Sequence, residues 1–186
     1  MFPRILLIVT ALLASQISRA EEMNLQLSND TARFMYLTEA FGQDFGRLEL
    51  EAGFLYSQQG NTLLNAGLMV RGESVSLPIL VAIGGRFYFA KVGSYSVGAI
   101  GVGGDLLLVP ESWNGFGIGA YLYTSPGVVT FADAENLNEY GIYMNFQVTP
   151  QARIAVGYQQ IDTTIRNNVG TVVIDQGAYF ALNLSF

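Results

Sequence analysis

The last eleven residues, Gln176-Gly-Ala-Tyr-Phe-Ala-Leu-Asn-Leu-Ser-Phe186, alternate without a break. Ala178, Phe180, Leu182, Leu184 and Phe186 occupy every second position, and Gly177, Tyr179, Ala181, Asn183 and Ser185 fill the gaps. Successive side chains of a β-strand point to opposite faces, so this segment reads as a strand with one apolar face ending in an aromatic. The same even-numbered phase governs most of the chain from Gly46 onward. Arg47–Ser57 carries Leu48, Leu50, Ala52, Phe54 and Tyr56 on one face; Asn61–Glu73 carries Leu64, Ala66, Leu68 and Val70. Further runs follow at Val97–Leu108, Gly115–Thr124, Glu139–Val148 and Gln151–Asp162, and at Ile79–Ala90, where the apolar face is odd-numbered: Ile79, Val81, Ile83, Gly85, Phe87 and Phe89. Thr171–Phe186 adds Val172 and Ile174 to the closing set. These eight runs are each roughly 10 or more residues long, the length a tilted strand needs to cross a bilayer. The pattern is that of a membrane barrel, apolar outward and polar inward.

The opposite face carries the charge. Arg47, Glu49, Glu51, Arg71, Glu73, Arg86, Asp105, Glu139, Arg153 and Asp175 all avoid the apolar phase. A basic residue facing lipid at the midplane costs about 2–4 kcal/mol, which accounts for the segregation. So many charges would be hard to accommodate inside a soluble sandwich. In a barrel they line the lumen, and four arginines against six acids predict an interior knitted by ion pairs. Tyr88, Tyr121, Tyr123, Tyr143 and Tyr179 share that face. Trp113 and Tyr140 lie at strand ends, where an interfacial aromatic girdle is expected.

Met1 to Ala20 reads as a secretory signal peptide. Arg4 supplies the positive start, Ile5–Ala14 the apolar centre, and Ser18-Arg19-Ala20 small residues at the cleavage site. An apolar run of roughly 10 residues is too short for a spanning helix. Removing 20 of the 186 residues leaves 166, enough for one domain, residues 21–186. Arg4 and Arg19 are two of the nine basic residues, so the remainder carries seven against fifteen acidic, a net charge of −8. That balance argues against a nucleic-acid partner. The chain has no Cys, hence no disulfide or thiolate chemistry.

The turns carry Gly, Asn, Pro and Ser: Gln58–Asn61, Lys91–Ser94, Pro110–Gly115, Thr149–Pro150 and Arg166–Gly170. Ser125–Asn138 is the longest connection. Export leaves the N-terminus in the periplasm, and the closing strand is expected to end there too, so the strand count must be even. Met23–Thr38 tests this. Met23, Leu25 and Leu27 are odd-numbered; Ala32, Phe34 and Tyr36 are even-numbered. A two-residue turn at Asn29-Asp30 repairs the phase and pairs Leu27 with Ala32, Leu25 with Phe34 and Met23 with Tyr36. This predicts an all-β antiparallel transmembrane β-barrel of ten strands, with eight strands and a peripheral N-terminal segment as the alternative. The connections at Glu39–Gly46, Gly72–Pro78, Pro110–Asn114 and Thr149–Pro150 would then face the periplasm, and the longest connection the outside.

Phe180, Leu182, Leu184 and Phe186 resemble the C-terminal insertion signal of bacterial outer-membrane proteins, which implies outer-membrane lipid and the barrel-insertion machinery as partners. The chain as a whole resembles the YfaZ family of outer-membrane proteins. The resemblance rests on Asn24-Leu-Gln-Leu-Ser-Asn-Asp30, Gly67-Leu-Met-Val-Arg-Gly72, Gly103-Gly-Asp105, Val129-Thr-Phe-Ala-Asp-Ala134 with Glu139-Tyr140, Thr149-Pro150 and Val156-Gly-Tyr158. It implies a barrel in the outer membrane and transfers no catalytic or binding residue.

Nothing in the sequence points to an enzyme. There is no His, the usual base near neutrality. Glu49 and Glu51 project to one face two positions apart, a spacing that could serve acid–base chemistry, but lumen pairing with Arg47, Arg71 or Arg86 explains them as well. Gly98-Ala-Ile-Gly101-Val-Gly103-Gly104 sits inside an alternating run with no helix after it, so a phosphate-loop reading fails its context. Asp133 and Glu135 on the long connection could hold a cation, or simply be solvated. No cofactor and no metal are predicted. The expected role is a non-enzymatic outer-membrane barrel, structural or with a narrow pore and a charge-paired lumen formed by Arg47, Glu49, Glu51, Arg71, Arg86, Asp105, Glu139, Arg153 and Asp175. The alternative is a surface interaction or adhesion protein acting through the 125–138 loop.

Overall fold

The computed structural model describes residues 21–43, 46–74, 77–166 and 170–186. The signal-peptide reading of residues 1–20 lies outside them. Eleven strands follow in chain order: β1 (Glu21–Ser28), β2 (Thr31–Gln43), β3 (Gly46–Ser57), β4 (Thr62–Glu73), β5 (Ile79–Val92), β6 (Tyr95–Leu108), β7 (Phe116–Ser125), β8 (Thr130–Ala132), β9 (Ala134–Thr149), β10 (Ala152–Ile165) and β11 (Gly170–Ser185). Single 3-10 turns lie at Glu111–Trp113 and Gly127–Val129.

Ten of these strands form a closed antiparallel meander, each pairing with the next, and β11 returns to pair with β1. Closure leaves none of these ten strands as an open sheet edge among the described residues, the condition a sheet must meet in lipid. The choice between ten strands and eight therefore falls to ten. The Asn29-Asp30 turn forms, with Met23 opposite Tyr36, Leu25 opposite Phe34 and Leu27 opposite Ala32. Its corner is tied by the Ser28 and Thr31 hydroxyls, 2.7 Å apart, and by the Thr31 N–H donating to Ser28 Oγ. At eight residues β1 is short, yet it is laddered on both sides.

The apolar face points outward, even-numbered on most strands and odd-numbered on β1 and β5. Leu50, Phe54, Leu64, Leu68, Ile83, Phe87, Ile142 and Phe180 are all exposed, the apolar belt a lipid-facing barrel requires. The register shifts at four points among the described residues, two of them between β9 and β10, and the other two move apolar residues between faces. Between Glu39 and Phe41 the register shifts by one residue, which turns Phe41 outward opposite Leu48. The predicted turn at Glu39–Gly46 is correspondingly narrower, because β2 continues to Gln43 and β3 begins at Gly46. The second shift lies between Ile161 and Asp162, opposite Val173–Asp175. An extra residue in one strand flips every side chain beyond it. Ile174, expected on the lipid face, is buried at 2 %, while Val173 faces out.

The long connection is also more ordered than expected. β7 pairs with β6 only over Val102–Leu108, and beyond that β6 pairs through Val97, Gly98 and Ala99 with β8. Residues from Ala134 to Asn138 already belong to β9. The connection therefore shrinks to 126–133 and fills a notch in the wall. Gly98 makes this possible: a Cβ there would collide with the Phe131 ring, which also meets Phe89 edge-on at 6.0 Å. The strap is pinned by the Ser96 N–H donating to Asp133 Oδ2 at 2.9 Å and by Arg166 Nη2 donating to the Thr130 carbonyl at 3.1 Å.

Candidate functional site

The inward-pointing charges occupy the phase opposite the apolar belt, odd-numbered on most strands but even-numbered at Glu22 and Arg86, so the interior is where chemistry could occur. Its loop end, near Ser57, Val92 and Ile165, is filled by apolar side chains. Leu55, Leu63, Leu137 and Ile161 are fully buried there, with Ile165 and Ile174 at 2 %. Packing of this kind excludes water.

Below that plug lies an ion-pair network. Arg33 Nη1 donates to Glu139 Oε1 at 2.7 Å, and Arg86 Nη1 lies 3.3 Å from Glu139 Oε2. Tyr88 donates its hydroxyl to the same oxygen at 2.7 Å. Arg86 also grips Glu51, through Nε to Oε1 and through Nη2 to Oε2 at 2.9 Å, a bidentate fork. Its guanidinium carbon stands 3.7 Å above the Tyr123 ring, a cation–π contact. Two arginines and two glutamates thus neutralise one another in a desolvated centre. Charges buried this deeply persist only when paired and hydrogen-bonded.

The end at which Glu21 and Phe186 meet is open. A vestibule of about 410 Å³ enters there, bordered by Arg47, Glu49, Arg71, Glu73 and Arg153. It leads to an inner recess of about 160 Å³ that reaches Arg33, Arg86, Glu139 and the rings of Tyr121, Tyr143 and Tyr179. Arg71 Nε bridges both Glu49 oxygens at 2.9 Å, and Arg47 meets Glu73 at 3.1 Å at the exposed rim. The Glu49–Glu51 pair is therefore divided between two arginines. Asp105 accepts from the Tyr123 hydroxyl at 2.8 Å, and Asp175 accepts from Gln159 Nε2. Arg153 lines both chambers and forms no ion pair among the described residues. Of the C-terminal set, Phe180 and Phe186 are exposed and Leu182 and Leu184 half-buried.

Inward tyrosines lie across glycines of the neighbouring strand. Tyr143 covers Gly119, Tyr121 covers Gly141 and Tyr179 covers Gly157; a Cβ at any of these glycines would strike the ring. Glycine here serves as the shelf that lets a large ring lie flat against the wall. Asp133, expected to be free for a cation or solvent, instead holds the strap through Ser96.

Arg33 is the central residue that sequence reasoning missed. The signal was present: with the Asn29-Asp30 turn in place, Ala32, Phe34 and Tyr36 face out and Arg33 must face in. Gln26 and Gln159 were missed in the same way. They are buried and bonded to each other at 2.7 Å, with Gln159 also accepting from the Tyr121 hydroxyl at 3.1 Å.

Comparison with known proteins places this geometry in context. No curated protein matches the chain. Three solved structures are similar to it at low identity. A chain from work on the in-meso crystallization of membrane proteins is 11 % identical with a TM-score of 0.47, covering 90 % of this chain and 83 % of its own. A bacterial polysaccharide outer membrane secretin is 9 % identical with a TM-score of 0.45, covering 90 % of this chain and 64 % of its own. The outer membrane protein Omp33 of Acinetobacter baumannii is 9 % identical with a TM-score of 0.37, covering 90 % and 96 %. The pattern described as YfaZ precursor matches residues 4–186, and the chain belongs to the YfaZ family.

Proposed function

We propose that this barrel resides in the bacterial outer membrane as a non-enzymatic, non-conducting protein whose interior is a blind-ended cup open to the periplasm. One observation carries the reading: the loop-end half of the interior is filled by Leu55, Leu63, Leu137, Ile161, Ile165 and Ile174. A ten-stranded barrel leaves little room beyond its own side chains, and here those side chains occupy it. The even strand number puts both strand termini at one end, and the C-terminal Phe180, Leu182, Leu184 and Phe186 support insertion with that end toward the periplasm. The absence of His and Cys from the sequence, and the engagement of Glu49, Glu51 and Glu139 by arginines, speak against catalysis. Planar-bilayer recording tests the reading. The wild-type barrel is expected to give no steady current, and a large steady conductance overturns the proposal. Heat-modifiable gel mobility of the outer-membrane fraction tests the location.

A surface-interaction role has a single observation in its favour. Val128, at the tip of the strap, is 91 % exposed. Val128→Asp should then abolish adhesion to cells or partners while the barrel remains folded; unchanged adhesion removes this reading.

A further inference from the structure

We propose that the inner recess is a binding site for a small zwitterionic solute, an amino acid or short peptide, entering from the vestibule. This rests on the blind-ended reading of the barrel and goes beyond it. The recess opens over two small residues of the wall. Ala155 and Ala181 face each other across β10 and β11, both inward and buried. Toward the vestibule they are bounded by the row Arg153, Asn183 and Asn24, which are consecutive register partners. On the other side stand Tyr143 and Tyr179, both register partners of Gly157. Two methyl groups between a polar row and two phenol rings leave a hollow. Its 160 Å³ far exceeds the roughly 10–15 Å³ that one water needs.

The hollow is supplied with unused hydrogen-bonding groups of both kinds. Arg33 is 2 % exposed, and its Nε and Nη2 have no partner among the described residues, whereas Nη1 is spent on Glu139. Buried donors left this way keep their desolvation penalty unless something fills them. Arg153 has neither ion pair nor side-chain hydrogen bond among the described residues, and neither do the hydroxyls of Tyr143 and Tyr179. On the acceptor side, Asn24 Oδ1 is buried and has no partner among the described residues. Among the described residues Glu22 lines the same recess without an ion pair, and Asp105 is met only by the Tyr123 hydroxyl.

The charge balance selects the ligand. Arg33, Arg71, Arg86 and Arg153 meet Glu22, Glu51, Asp105 and Glu139 around the recess, four against four. A net anion or net cation gains nothing from such a wall overall, whereas a molecule bearing both charges can satisfy both sets. The carboxylate is assigned to Arg33 and Arg153, and the ammonium to Glu22 and Asp105.

Isothermal titration of the detergent-solubilised full barrel tests the assignment with four probes: alanine, acetate, ethylammonium and glucose. Alanine should bind saturably, and the other three at least tenfold more weakly. Arg153→Gln and Ala181→Leu should each weaken alanine binding at least tenfold, the first by removing a donor and the second by filling the hollow. Val156→Leu, on the lipid face, should change nothing. Arg153 is half-buried at the chamber edge, so its variant keeps the test alive should the leucine prevent folding. No saturable alanine binding, equal binding of acetate or glucose, or unchanged binding by Arg153→Gln overturns the proposal. A conducting barrel that still binds alanine refutes the blind-ended reading alone; a sealed barrel that ignores alanine refutes this site alone.

Discussion

Arg33 and Glu139, 106 residues apart in sequence, meet at 2.7 Å inside the barrel and join β2 to β9 across its interior. The contact spans the lumen between strands that are not wall neighbours, so it braces the cross-section. Glu139→Gln leaves Arg33 and Arg86 short of a buried counter-charge. Breaking a buried pair from one side costs about 3–5 kcal/mol. Urea unfolding of the refolded barrel should register that loss. Adding Arg33→Met to Glu139→Gln should cost much less than the two single changes combined. Strictly additive losses would mean the pair does not couple.

The bulge opposite Ile161 and Asp162 yields a paired test. Ile174→Ala should cost about 2–5 kcal/mol, the range for truncating a buried isoleucine. Val173→Ala should stay within about 0.5 kcal/mol, as at a surface site. Unbroken alternation along β11 predicts the opposite order, so the comparison of unfolding midpoints decides between two registers.

Gly98 holds the strap in place by having no side chain. Gly98→Leu should eject Phe131 and expose residues 126–133 to protease in intact cells or vesicles, while Phe131→Ala should loosen the same segment without distorting β6. Overpacking of this kind costs about 1–3 kcal/mol. Resistance of Gly98→Leu to cleavage at the wild-type level would contradict the docking of Phe131.

Ile142 is 65 % exposed on the outer belt. Ile142→Arg should lower the folding free energy into lipid vesicles by about 2–4 kcal/mol if that position sits near the midplane. Gln147→Arg, inward on the same strand at the vestibule, should be nearly neutral. Equal penalties at both sites would mean that neither face meets hydrocarbon.

The division between what was readable and what was not follows the physics of each feature. The wall is local: alternation names the strands, and the parity conflict at Asn29-Asp30 gives the β1–β2 register residue by residue. Bulges are not local in that sense. Val172-Val173-Ile174 is apolar in both phases, so nothing in the side chains says which residue is the extra one. The plug was hidden by a different effect. Leu55, Leu63, Leu137 and Ile161 occupy the phase that carries the charges, and an apolar residue there breaks no pattern that charge placement reveals. The inward charges share their phase, but their partners depend on the curvature of the closed sheet. Alternation alone does not choose between Arg33, Arg71 and Arg86 as the mate of Glu139, nor does it say that Arg153 stays without one. The strap depended on a ring meeting a glycine of another strand, Phe131 on Gly98, for which linear sequence holds no signal.

The seam where Asn24 bonds Asn183 has a consequence in time. Those residues stand 159 positions apart, whereas the other pairings in the wall join strands that follow one another closely in the chain. Loop-closure entropy grows with the span enclosed, so hairpins can zip early while the ring waits. Until β11 reaches β1, both carry bare N–H and C=O groups, and this intermediate has two open flanks at which another copy could attach. The slowest step of maturation, and its moment of greatest exposure to misassembly, is therefore expected to be the meeting of Glu21 with Phe186, whose N–H donates to the Glu21 carbonyl at 2.9 Å.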